Sequence, residues 1–173
     1  MNTAQQDSLS DEKLDVRASQ LEQILQFQRD ALEMIAQGRS TDDILNALCL
    51  LAEAMVPESV ASIMLLDPEH SHLDVRAAPS IPVEGVNALN GLRPGPQAGS
   101  CGTAVFTEQP VFVDNILTDI RWVHLLDIAE RFNLQACWSV PIRTSNEAVV
   151  GSFALTSFQR RPPDPFHRRL LDT

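Results

Sequence analysis

The sequence predicts an α/β sandwich, an antiparallel sheet with helices on one face and mobile connections on the other. Three observations predict it. A stretch over 8–37 without proline or glycine reads as one long helix. Short apolar runs come in pairs, 60–66 with 73–77 and 136–143 with 148–158, each pair joined by turn-forming residues. Between the pairs, 79–98 is rich in Pro and Gly, and so long an irregular segment in a compact domain is often functional.

The first helix carries Leu14, Ala18, Leu21, Leu25, Gln28, Leu32 and Ile35 at steps of four and three, the heptad rhythm of a coiled-coil seam. Gln28 weakens that seam and is of a kind that sets register. A second stripe, Ile24, Ala31 and Ile35, lets part of the helix pack on its own domain. Gly38 with Arg39 marks the stop. Ser40 or Thr41 caps a second helix, Asp42 and Asp43 suit its first turn, and Pro57 ends it. The first strand pair turns at Asp67-Pro68. A short helix is expected over 83–89 and another over 99–107, then a strand over 110–115 and a helix over 122–132. The second pair turns at Ser145-Asn146-Glu147. Pro162, Pro163 and Pro165 break the chain before a last helical stretch, 166–171.

Composition sets bounds on function. The chain has 173 residues, enough for one domain, and 44% of them are apolar, enough for a sizeable core. A net charge of −10 repels phosphate backbones and anionic lipid, so neither nucleic acid nor membrane insertion is expected. Cys49, Cys101 and Cys137 are odd in number and lack C-x-x-C spacing, which argues against a disulfide framework and a structural zinc site; no metal is expected. Residues 1–6 lack a secretory signal pattern, and the apolar run 44–56 is interrupted by Asn46 and Glu53. The expectation is a cytoplasmic protein.

Five segments in order carry a family likeness: Gly99-Ser-Cys-Gly-Thr-Ala104, Pro110-Val-Phe-Val-Asp-Asn-Ile116, Thr118-Asp-Ile-Arg-Trp122, Ala136-Cys-Trp-Ser-Val-Pro-Ile142 and Val150-Gly-Ser-Phe-Ala-Leu155. Together they resemble the GAF domains of bacterial multidomain signalling proteins, over roughly 41–171. The resemblance implies a GAF-like sandwich with the N- and C-terminal helices on one face and pocket-forming connections, 81–100 and 118–132, on the other. It implies a signalling and dimerisation helix over 1–38 and a sensory domain over 39–173. Such domains commonly sit upstream of diguanylate cyclase, phosphodiesterase or histidine kinase modules. A homodimer through the first helix and a covalently linked output domain are therefore the implied partners, in cyclic-di-GMP or two-component signalling.

Six residues are candidates for touching a ligand. Cys101 lies in a small-residue turn at a helix start, where free N–H groups favour a thiolate; a small buried residue is the other reading. Trp138 alternates onto one face of its strand with Ala136, Val140 and Ile142, either walling the pocket or filling the core. His124, with Trp122 beside it, sits on the segment that covers the pocket; haem ligation, hydrogen bonding and a plain surface role all suit it. Asp114, near Asp119, either meets a ligand or caps a turn. Arg121 either clamps an anion or pairs with Asp119 or Asp127.

A small-ligand, redox or gas sensor is the leading functional expectation, with ligand and cofactor unknown. A ligand-free dimerisation module, its pocket filled by Trp138, Phe153 and Met64, is the alternative. The segment Ser100-Cys-Gly-Thr-Ala104 also resembles free methionine-R-sulfoxide reductases. Their nucleophilic cysteine has no counterpart in His124-Leu-Leu-Asp127, and Cys137 stands where they place a carboxylate. On that chemistry the chain is expected not to be an enzyme.

Overall fold

The computed structural model describes residues 3–69 and 71–172, with side chains from residue 15 onward. The side chain of Leu14, the first member of the heptad stripe, lies outside what is described.

Helix α1 (Thr3–Ala36) is long, and its stop is chemical: Gly38 takes φ +67°, and the Arg39 N–H closes back on the Met34 carbonyl at 3.2 Å. Helix α2 (Thr41–Met55) is capped by Ser40, whose hydroxyl accepts from the Asp43 N–H at 3.2 Å, with Asp42 and Asp43 in the first turn. Strands β1 (Ser59–Leu66) and β2 (Leu73–Ala77) form the first hairpin. Its turn is held by Asp67, whose carboxylate accepts from the N–H groups of Glu69, Ser71 and His72. Helices α3 (Val83–Leu89) and α4 (Gly99–Thr107) lie either side of an irregular stretch, and β3 (Val111–Val113) follows.

The expected helix over 122–132 is shorter. Residues Ile116–Thr118 and Ile120–Trp122 form two 3₁₀ turns, and α5 covers only Leu126–Arg131. Asp119 causes the break. Its carboxylate accepts from the Arg121 N–H at 2.9 Å and nucleates a tight turn, while Leu125 at φ −125° separates that turn from α5. Strands β4 (Ala136–Arg143) and β5 (Val149–Ser157) form the second hairpin, and α6 (Pro165–Leu171) closes the fold behind an Asp164–His167 capping box.

The five strands make one antiparallel sheet in the order β2-β1-β5-β4-β3. Strand pleating splits its two faces into different cores. Ala61, Ile63, Ala136, Trp138, Val140 and Leu155 pack with α1, α2 and α6. The alternate residues Cys137 and Ala154 pack beneath α4 with Trp122 and Ile116. The antiparallel sheet with both terminal helices on one face is therefore as expected.

Helix α1 divides its own surface. Ile24, Phe27 and Met34 are buried. Leu21, Leu25, Leu32 and Ile35 remain 43–66% exposed. Ile35 thus belongs to the outward seam, not to the inward stripe; Phe27 and Met34 hold the inward places, because positions 24, 27, 31 and 34 follow the helical period more closely.

Candidate functional site

A cavity of about 270 Å³ lies between the sheet and helices α3, α4 and α5. Its floor is Val60, Ser62 and Met64 of β1 with Cys137 of β4 and Thr156 of β5. Residues from 80–101 and 122–134 roof it, Leu89, Leu92, Trp122 and Phe132 among them. The lining has no Asp, Glu, Lys, Arg or His, and its polar side-chain atoms are hydroxyls, thiols and the Trp122 indole N–H. A broader cleft of about 1070 Å³ under α1 includes Glu108, Arg143 and Asp172 and contains none of the six candidates.

The start of α4 is built by close approach. Gly99 sits at φ +62°, and a Cβ there would meet Leu125 Cδ1 at 2.9 Å. Ser100, fully buried, donates to the Cys137 carbonyl at 3.1 Å and accepts from Trp122 Nε1 at 3.1 Å. One hydroxyl therefore joins α4, β4 and the Trp122 turn. Cys101 follows in the same helical turn. Its thiol is held below the usual cysteine value, chiefly by the neighbouring Cys137 thiol and further by Ser139 and Ser152. Cys101 in turn, with burial, raises Cys137. Cys137 Sγ also accepts from Thr156 Oγ1 at 3.4 Å.

Of the six candidates, the structure brings Cys101 and Trp122 to the cavity. Trp138 lies on the opposite face, fully buried, stacked on His167 and donating to the Arg161 carbonyl at 3.3 Å. Its choice of core over pocket follows from the pleat, which sends Cys137 and not its neighbour under α4. Arg121 is occupied by Asp119, with Nε at 2.7 Å from Oδ1 and Nη2 at 2.5 Å from Oδ2. That fork holds the Asp119 carboxyl below its ordinary value. His124 is exposed with Nε2 3.2 Å from Gln97 Oε1, and Asp114 is exposed; neither lines the cavity. Of the three residues expected to fill the pocket, only Met64 borders it; Trp138 and Phe153 pack on the helix face.

Sequence reasoning missed Cys137, Ser100 and Thr156 as site residues. A signal was available. Ser62, Cys137, Ser139, Ser152, Ala154 and Thr156 alternate along three strands as a stripe of small side chains, which leaves room above a sheet.

No helix among the described residues is long and apolar enough to cross a membrane. A curated relative, the methyl sulfide methyltransferase-associated sensor of Methanosarcina acetivorans, is 36% identical over 142 residues. Those residues are 82% of this chain and 14% of that protein, so the chain spans only a small part of its length. Among solved structures, the GAF domain from an Acinetobacter phosphoenolpyruvate-protein phosphotransferase is similar at a TM-score of 0.66 and 20% identity, over 89% of this chain and 86% of that chain. The type II free methionine-R-sulfoxide reductase from Thermoplasma acidophilum is similar at a TM-score of 0.57 and 15% identity, over 75% and 83%. This last likeness overturns the expectation that the chain is not an enzyme: an enzyme is built on the same fold, so the fold offers no ground for excluding catalysis. A family model described as GAF domain matches residues 38–173, from the stop of the first helix onward, and the chain belongs to the GAF domain family.

Proposed function

We propose that this chain is the ligand-binding sensory module of a longer signalling protein, with a small, neutral, largely apolar molecule as its input. The observation that carries this reading is the cavity of about 270 Å³ with no carboxylate, ammonium, guanidinium or imidazole in its lining. A charged ligand would lose its hydration there without a partner, whereas an apolar one gains from burial. The candidates Cys101 and Trp122 are the two that such a ligand would touch. Residues 1–38 act as the signalling helix and 39–173 as the sensor, in a reducing cytoplasmic setting that keeps the thiols free. Two copies pair through the outward seam of α1, and a linked output domain receives the change. Ligand binding shifts the output only by the difference in affinity between two states of the module.

Toluene, with benzoate as its charged counterpart, provides the test. Saturable toluene-induced shifts of the Gly85 and Gly99 amide resonances, with benzoate at least about tenfold weaker because its carboxylate must be desolvated, are expected. Absence of saturable shifts up to toluene's solubility limit, or tighter binding of benzoate, would sink the reading.

A further inference from the structure

The three thiols occupy two chemically distinct places. Cys49 is on the helix face of the sheet, fully buried, with Sγ 3.8 Å from the Ala77 carbonyl, and burial pushes its thiol up to about 12. It is unreactive as a nucleophile. Cys101 and Cys137 lie on the other face, and both border the cavity. Cys101 stands in the first turn of α4 and packs against the cluster that holds Cys137 of β4. The Ser100 hydroxyl, bound to the Cys137 carbonyl at 3.1 Å, holds that turn against the strand.

The surroundings differentiate the two sulfurs. Cys101 is the better thiolate: the neighbouring Cys137 thiol draws its pKa down most, with Ser139, Ser152 and its own backbone N–H adding to the effect. Ser152 Oγ is wholly buried and makes no well-formed hydrogen bond of its own, so its proton is available to an anionic sulfur. Cys137 is the protonated partner, held so by Cys101 and by burial. A partly exposed thiolate that shares a cavity wall with a second thiol is the arrangement of an attacking and a resolving cysteine.

We propose that Cys101 and Cys137 form a redox dithiol that a small apolar alkyl hydroperoxide, entering the cavity, oxidises to a disulfide. The Cys101 thiolate attacks the terminal peroxide oxygen. The O–O bond breaks, the alkoxide leaves and takes the Cys137 proton to become an alcohol, and Cys101 becomes a sulfenic acid. The Cys137 thiolate then attacks the Cys101 sulfur, the S–O bond breaks, and hydroxide leaves to take a solvent proton as water. Two thiols lose two electrons in all, and one hydroperoxide becomes one alcohol and one water. The new bond clamps α4 to β4 beside the Ser100–Trp122 hydrogen bond and changes the environment of Trp122. The proposal rests on the reading of the cavity as a site that admits small neutral molecules.

Fully reduced protein treated with one equivalent of cumene hydroperoxide tests it. Free thiols counted after unfolding should fall from three to one, with Cys49 the survivor and peptide mapping joining Cys101 to Cys137. The Cys137→Ser variant should stop at a Cys101 sulfenic acid that dimedone traps, and Cys101→Ser should keep both its remaining thiols. Survival of all three thiols, a bridge that includes Cys49, or a bridge between two chains overturns the proposal. Toluene shifts on Cys101→Ser separate the two readings. Shifts without peroxide reactivity in the unaltered chain remove the dithiol and leave the sensor cavity standing. Loss of both removes both.

Discussion

The Trp138 indole and the His167 imidazole stack with centroids 4.8 Å apart and planes inclined by 22°, tying the middle of β4 to the last helix. Arg161 lies over the same indole at 5.5 Å and fixes it from another side. This contact gives the helix face of the sheet a titratable group. Burial lowers His167 below the ordinary 6.5, with Asp164 pulling the other way and Arg161 adding to the lowering. Since the folded value is the lower one, the unfolded chain takes up the proton first as pH falls. Stability is therefore full above the ordinary histidine value and is lost as pH drops from it toward the folded value. His167→Gln retains a capping-box side chain without the titration. The difference in urea midpoint between the two proteins should change between about pH 7.5 and about pH 5, with the unaltered chain losing more. Parallel curves would show that His167 titrates alike in the folded and unfolded chains, so that burial does not lower it.

Ser100→Ala should destabilise by about 1–3 kcal/mol, because the buried Trp122 N–H loses its acceptor and the Cys137 carbonyl loses a donor. Urea unfolding gives the magnitude. Emission from a Trp138→Phe background, which leaves Trp122 as the sole tryptophan, should shift with the substitution. An unchanged spectrum together with unchanged stability would mean that the hydroxyl bridge has no weight.

Gly99→Ala combines two costs. The backbone there is left-handed at φ +62°, and the new Cβ would meet Leu125 Cδ1 at 2.9 Å. A loss of about 1–3 kcal/mol is expected from the backbone conformation alone, with weakened toluene binding as the roof shifts. Wild-type stability and affinity would contradict the close-packed roof.

The seam of α1 can be tested without touching its inward face. Leu25 and Leu32 are 43% and 66% exposed, so Leu25→Glu with Leu32→Glu should leave the domain folded. Light scattering should report a monomer for the double variant and a dimer for the unaltered chain. Removal of 1–38 is a poorer test, since it would also strip Ile24, Phe27 and Met34 from the core they cover. A dimeric double variant would place the pairing surface elsewhere.

Much of the fold was legible because the signals were local. Ser40 and Gly38 bound the first two helices through capping chemistry, and both hairpins followed from alternation with turn residues between. The 3₁₀ turns around Asp119 were not legible, because a carboxylate competing for a backbone N–H outweighs an apolar period over so few residues. The candidate site was half legible. Alternation separated Cys137 from Trp138 correctly, but a pleat does not say which of its faces lies under the cavity. That depends on where α4 docks, and the Ser100–Cys137 hydrogen bond that settles it joins residues 37 apart. Arg121 and His124 have the right chemistry for binding, and only their partners in space, Asp119 and Gln97, show them to be engaged elsewhere.

The small-side-chain floor has a consequence for how such a domain diversifies. Ser62, Cys137 and Thr156 supply a low, uniform base, while the bulk that shapes the cavity comes from Leu89, Leu92, Trp122 and Phe132 above it. Cys137 and Thr156 share their strands with Trp138 and Leu155, and Ser62 shares its strand with Ile63, so a change there risks the opposite core. Among the roof residues Trp122 is tied to β4 through Ser100 and Leu92 pairs with Leu73 of β2, which leaves Leu89 and Phe132 as the freer positions. Selection, or an engineer, can therefore rewrite the recognition repertoire from the roof while the strand scaffold stays untouched.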